Sequence, residues 1–285
     1  MVNKMSLGHI SNFKVDRETD LGYVLVDNEG KEFFLHHNEC NYQKLSNGDK
    51  VNAFIYLDKK GRETATLNPP SITLDKIGSG IVTSVKPEMG AFINIGITKD
   101  ILLSKDDLPI GLRTWPKEGD KVFCVMRLRS GKLILKLATK SDLSTITNDT
   151  TYNEGEYVDS YVYRITQDGI NLVTDDFKVI FVHKDNLRGT FRIGQKESVR
   201  IVHKNPTDYN GSLVIEKKEQ IKNDKEIILD YLNHHNGVMM ITESSSPELI
   251  NHHFHMSKSS FKNAIGGLLK ENKVEKLEDK IILKD

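Results

Sequence analysis

The side chains best suited to chemistry are two adjacent carboxylate pairs, Asp106-Asp107 and Asp175-Asp176, a histidine-rich C-terminal stretch and two cysteines. A carboxylate pair shares a metal or a proton only where both groups converge, and neighbours along a strand point to opposite faces. His234, His235, His252, His253 and His255 are five of the ten histidines, but their spacing forms no recognised ligand set and no cysteine joins them. Cys40 and Cys124 lie 84 positions apart, in or beside apolar stretches, and read as buried, reduced thiols. No phosphate loop, dinucleotide glycine motif or nucleophile elbow occurs. The sequence therefore predicts a protein that is not an enzyme and takes no metal or cofactor.

What organises the chain is a repeat. Gly48-Asp-Lys-Val returns as Gly119-Asp-Lys-Val and, in weaker form, as Gly194-Gln-Lys-Glu, at intervals of 71 and 75 residues. Each copy leads into period-2 alternation: Val51, Ala53, Ile55 and Leu57; Val122, Cys124, Met126 and Leu128; Val199 and Ile201. Upstream of each lies an apolar pair followed by a polar residue, as Phe34-Leu35-His36, Leu102-Leu103-Ser104 and Phe181-Val182-His183. Further upstream come short apolar runs opened by glycine, such as Gly22-Tyr-Val-Leu-Val, Gly90-Ala-Phe-Ile-Asn-Ile and Gly169-Ile-Asn-Leu-Val. Short strands at close spacing with turn signals between them predict three small antiparallel barrels.

In the second copy, Gly80-Ile-Val-Thr-Ser-Val, Met89-Gly-Ala-Phe-Ile, Leu103-Ser-Lys-Asp-Asp-Leu and Gly119-Asp-Lys-Val follow in the order of an S1 RNA-binding domain of the OB class, which this segment resembles. From about Asn223 the period changes. Ile227, Ile228, Tyr231 and Leu232 make a helical stripe that stops near Gly237; Ser246-Pro247-Glu248 and Ser257 read as helix starts; Val274 to Leu283 reads as two strands around Glu278-Asp279-Lys280. Helix, helix, helix and hairpin is the order of a winged helix. With Ser244-Ser-Ser-Pro and Met256-Ser-Lys-Ser-Ser-Phe-Lys-Asn-Ala-Ile-Gly-Gly-Leu, the whole chain resembles the bacterial conserved virulence factor B family. The resemblance implies a multidomain, mainly β protein of three tandem S1-like (OB-type) five-stranded β-barrels over 1–70, 71–140 and 141–218, followed by an α+β winged-helix domain over 219–285. It also implies RNA binding and post-transcriptional regulation of gene expression, of a virulence type.

The charge is balanced, with 40 basic and 40 acidic residues, so a uniformly basic nucleic-acid binder is excluded. Locally it is not balanced. Residues 71–140 carry 12 basic against 7 acidic side chains, and Lys178 to Lys204 holds seven basic residues against Asp185 and Glu197. Such an excess suits a surface that tracks phosphates. In S1 domains bases stack near the glycine turn of the second and third strands, and residue-by-residue match points to Met89, Phe92 and Ser104; Asp168, Asn171 and His183; Leu21, Val24 and His36. Phe92 is the clear aromatic among them. The candidate RNA-contacting set is Phe92 with Lys86, Lys105, Arg127 and Arg129; Arg164, His183, Lys184, Arg188, Arg192, Arg200 and Lys204; and Lys258 and Lys262 of the winged helix. His36, Met89 and Ser104 complete it.

Single-stranded RNA is thus the expected partner, with ribosomal or RNA-processing proteins as further ones. A protein-interaction scaffold without direct RNA contact is the alternative. A duplex-DNA regulator ranks below both, because residues 219–285 carry 9 basic against 11 acidic side chains. No run reaches the roughly 20 apolar residues of a membrane span, and Met1-Val-Asn-Lys-Met-Ser lacks a signal-peptide core, so a cytoplasmic protein is expected.

Overall fold

Each copy of the Gly-Asp segment opens the fourth strand of a closed five-stranded barrel. In this computed structural model, which describes residues 6–187, 189–214 and 217–284, the first barrel comprises β1 (Ile10–Thr19), β2 (Gly22–Val26), β3 (Glu32–His36), β4 (Lys50–Leu57) and β5 (Glu63–Thr66). The second comprises β6 (Gly78–Lys86), β7 (Gly90–Asn94), β8 (Ile101–Ser104), β9 (Lys121–Arg129) and β10 (Lys132–Leu137). A four-residue helix, α1 (Lys140–Leu143), leads to the third: β11 (Tyr157–Ile165), β12 (Gly169–Thr174), β13 (Val179–His183), β14 (Lys196–Lys204) and β15 (Tyr209–Ser212). All three share one order around the barrel, first, second, third, fifth, fourth, with the third and fifth strands parallel. That is the OB arrangement.

The alternation fills the barrels as the period requires. Val51, Ala53 and Ile55 point inward on β4, Val122, Cys124 and Met126 on β9, and Val199 and Ile201 on β14. Both cysteines are buried and unpaired. Burial raises the thiol pKa of each above its usual value.

The three barrels belong to one contact unit, Met1–Leu213. Between the first two, Lys99 donates to the carbonyls of Leu57 and Asp58 at 2.7 and 3.1 Å, and Leu74 N–H donates to the Gly8 carbonyl at 3.0 Å. Between the second and third, Phe123 packs on Tyr161 and Phe177 in a separate small core with Leu143 and Tyr163.

The second unit, Val214–Asp285, contains α2 (Lys217–His234), β16 (Val238–Met239), α3 (Pro247–Phe254), α4 (Lys258–Lys270), β17 (Val274–Lys276) and β18 (Ile281–Leu283). Ser246 and Ser257 cap α3 and α4 as their sequence positions predict, each accepting an N–H three residues on. The two-residue β16 is an addition to the sequence reading: it pairs with β18 to make a three-stranded sheet in the order β16-β18-β17. Two residues carry too little alternation to be read as a strand.

Candidate nucleic-acid interface

In each barrel the first strand bulges once, between Val15 and Arg17, Val82 and Ser84, and Val162 and Arg164. The repeated glycine turn holds that bulge. Gly48 donates to the Val15 carbonyl and Val15 donates back to that of Asp49, both at 2.8 Å; Gly119, Val82 and Asp120 repeat the exchange at 2.9 and 3.0 Å, and Gly194, Val162 and Gln195 at 2.7 and 3.0 Å. These glycines have φ of 93°, 86° and 80°, a left-handed conformation that disfavours a Cβ. The sequence repeat is therefore a structural clasp. A bulge re-aims the side chain that follows it.

That side chain starts a row across three strands. Register places Arg17 opposite Val24 and Val24 opposite Phe34 in the first barrel, Ser84, Phe92 and Leu102 in the second, and Arg164, Asn171 and Phe181 in the third. The neighbouring row pairs Gly22 with His36, Gly90 with Ser104 and Gly169 with His183. Here the strands come so close that a Cβ on any of the three glycines would lie 2.1 Å from a carbonyl oxygen of the partner strand.

The rows present an aromatic beside a polar residue. Phe34 and His36 are edge to face at 6.2 Å between ring centres, and Phe181 and His183 repeat this at 6.4 Å. In the second barrel Leu102 and Ser104 hold these positions, and the aromatic moves one strand over to Phe92, with the Lys86 ammonium 5.6 Å from its ring centre. Phe92 is half-exposed and Met89 is exposed at the adjoining turn.

His36, Ser104 and His183 also share a local duty. Each accepts the N–H two residues on, from Asn38, Asp106 and Asp185 at 3.1, 3.3 and 3.4 Å, and so caps a short 3-10 turn. Accepting at Nδ1 leaves Nε2–H of His36 as its ring donor, whereas His183 Nδ1 also lies 3.3 Å from the Asp185 carboxylate. Asp106 and Asp107 lie in such a turn, and Asp175 and Asp176 in the turn after β12, instead of along strands. Their partners differ: Asp175 meets Lys121 at 2.5 Å, Asp176 the Tyr152 hydroxyl at 2.6 Å.

The cations of the candidate set separate into groups. Lys86, Lys105, Arg127, Arg129, Arg164, Lys184 and Lys204 are exposed. Arg192 forms a two-point ion pair with Asp120, at 2.7 and 2.8 Å, which raises the pKa of its guanidinium. Asp120 is 9% exposed, so this arginine fastens the third barrel to the second and is not available as part of a cationic track. Lys178 donates to the Asn148 carbonyl, Lys196 pairs with Asp159, and Arg200 is half-buried on β14. Arg188 lies outside the described residues. The cationic run between Lys178 and Lys204 is thus not one surface, because linear density carries no information about folded partners. Lys258 and Lys262 are exposed on the first two turns of α4, opposite its buried face of Phe261, Ala264, Ile265 and Leu268.

Domain by domain, the chain matches three family models: an S1 domain over residues 7–68, a CvfB first S1-like domain over 78–133 and a CvfB-like winged helix domain over 226–283. It is 31% identical over 268 residues to conserved virulence factor B of Staphylococcus epidermidis, covering 92% of this chain and 89% of that protein. The chain belongs to the conserved virulence factor B family. It is also 32% identical over 275 residues, covering 95% and 92%, to a Bacillus subtilis protein named YitL. The crystal structure of a multidomain protein with nucleic acid binding domains from Streptococcus pneumoniae aligns over 99% of both chains, at a TM-score of 0.67 and 27% identity. S1 and winged-helix domains are nucleic-acid-binding types. Among the described residues no helix is long and apolar enough to cross a membrane.

Two outward aromatics escape the motif match. Phe34 and Phe181 sit on the third strands two residues before His36 and His183, the third-strand positions that the resemblance names instead. The signal that finds them is the alternation itself: in Phe33-Phe34-Leu35-His36 the buried Phe33 and Leu35 leave Phe34 and His36 facing out. Tyr42, fully exposed with a left-handed φ of 62°, lines a groove with Asn38, Asn41, Asn68 and Asn94.

Proposed function

We propose that this protein is a non-catalytic, cytoplasmic RNA-binding regulator that acts after transcription by holding single-stranded RNA on the outward rows of its barrels. The observation that carries this reading is an outward aromatic near a glycine-narrowed strand pair in every barrel: Phe34 beside His36 and Phe181 beside His183 at equivalent positions, and Phe92 one strand over in the second barrel. Nothing in barrel stability requires a half-exposed phenylalanine on this face in all three barrels. A flat apolar ring flanked by donors and cations is what an unpaired base needs, since stacking contributes about 1–3 kcal/mol per base and its phosphates need neutralising. Lys86 over Phe92 combines both parts at one residue pair.

The winged helix adds a second contact through Lys258 and Lys262, near the positive end of the α4 dipole. Linked weak sites gain affinity through effective concentration. Ribosomal or RNA-processing proteins are further partners in this proposal, and duplex DNA is not a preferred one.

Ultraviolet crosslinking of a uridine-rich RNA, with mass spectrometry of the bound peptides, tests the placement. Crosslinks should fall on the peptides holding Phe34, Phe92 and Phe181. Crosslinks confined to other faces of the barrels would refute it.

A further inference from the structure

A cleft of about 420 Å³ opens where the β4–β5 turn of the first barrel meets the outward row of the second. Its apolar lining includes Phe92 and Leu102, cross-strand partners on β7 and β8, and Leu57 from the first barrel. Lys59, Lys60, Lys99 and Lys132 line the same space.

The lysines have unequal jobs. Lys99 is half-buried and spends its ammonium on the carbonyls of Leu57 and Asp58, and burial lowers its pKa. It holds the turn of the first barrel in place. Lys59 and Lys60, at the tip of that turn, and Lys132, at the start of β10, are exposed and have no ion pair among the described residues. The turn itself is rigid: Asp58 accepts from the Arg62 guanidinium at 2.7 and 2.8 Å and from the N–H groups of Lys60 and Arg62. These bonds lower the Asp58 pKa and commit its charge locally. The other carboxylate in the lining, Asp100, accepts from the Thr83 hydroxyl at 2.8 Å. Four lysines against two engaged carboxylates leave the cleft cationic, and its volume lies in the range of sites that take a compact ligand.

We propose that this cleft seats one nucleotide of a bound RNA strand, its base against Phe92 and Leu102 and its flanking phosphates on Lys59, Lys60 and Lys132. The inference rests on the RNA-binding reading and extends it to a site built by two barrels. The first barrel, which has no basic excess of its own, contributes through its turn.

Fluorescence anisotropy of a labelled uridine-rich single-stranded RNA provides the test, with the full-length Lys59→Glu/Lys60→Glu protein against wild type across a salt series. A control, Lys14→Glu/Lys50→Glu, makes the same charge change at exposed positions paired between β1 and β4, outside the cleft lining. The turn variant should bind about tenfold more weakly or worse, with the slope of log K against log salt reduced by about 1.4 for two lost phosphate contacts. Lys132→Glu, on the other barrel, should weaken binding independently. Wild-type binding with both cleft variants matching the control would overturn the cleft and leave the RNA reading standing. Absence of wild-type binding at low salt would overturn both.

Discussion

Arg192 and Asp120 form a two-point ion pair across the junction of the second and third barrels, with the carboxylate almost fully buried. Each comes from the turn that clasps its own barrel's bulge, so the pair links two clasps as well as two barrels. Removing one partner leaves the other desolvated without compensation. Arg192→Ala should therefore destabilise the protein by about 1–3 kcal/mol, at the lower end of buried pairs because the arginine is partly exposed. A lowered urea midpoint in Arg192→Ala checks this; an unchanged midpoint contradicts it.

The glycines of the narrowed strand pair give a sharper contrast. Gly90→Ala and Gly169→Ala each force a Cβ to 2.1 Å from a carbonyl oxygen and, at φ of 134° and 152°, strain the backbone too. We expect losses of roughly 2–4 kcal/mol. Gly131→Ala, where φ is 73° but nothing lies within 4 Å, should cost about 1 kcal/mol. Thermal melts of the three variants test the ranking, and equal midpoints would refute it.

The aromatic rows should carry affinity and little stability. Phe34, Phe92 and Phe181 are half-exposed, so alanine at each should preserve the melting temperature while weakening RNA binding by about 1–3 kcal/mol where a base stacks. The measurement is a titration of each variant beside its melt. Undiminished affinity in all three would remove the rows from the interface.

Cys40 and Cys124 are buried, and desolvation raises both thiol pKa values, which suppresses the reactive thiolate. Neither should react with iodoacetamide in the native protein near neutral pH, and both should react in denaturant. Mass spectrometry reads the result directly; rapid native labelling would show that the barrels open.

Much of this architecture is legible in the residues, for reasons the structure supplies. The Gly-Asp segment recurs because a bulge must be clasped by a left-handed turn, a demand few sequences meet. The winged-helix caps stand out because Ser246-Pro247 and Ser257 do a job that other residues do poorly. The candidate site is less legible. A motif match scores positions one by one, whereas Phe34 and Phe181 become visible only from strand parity. Arg192 resembles any other basic residue until its partner, 72 positions away, is folded against it. Lys59 and Lys60 lie in a barrel with no net basic charge, and their place beside Phe92 depends on how two barrels meet.

The central claim, that this chain holds single-stranded RNA through phosphates and stacked bases, is tested most directly by the salt dependence of binding. Anisotropy of a labelled uridine-rich RNA with the full-length protein, competed by single-stranded and duplex DNA, is the measurement. The account predicts binding that prefers RNA and falls steeply with salt, with a slope in log K near −2 or steeper for three or more neutralised phosphates at about −0.7 each. No binding at low salt, or stronger competition by duplex DNA than by single strands, would contradict it.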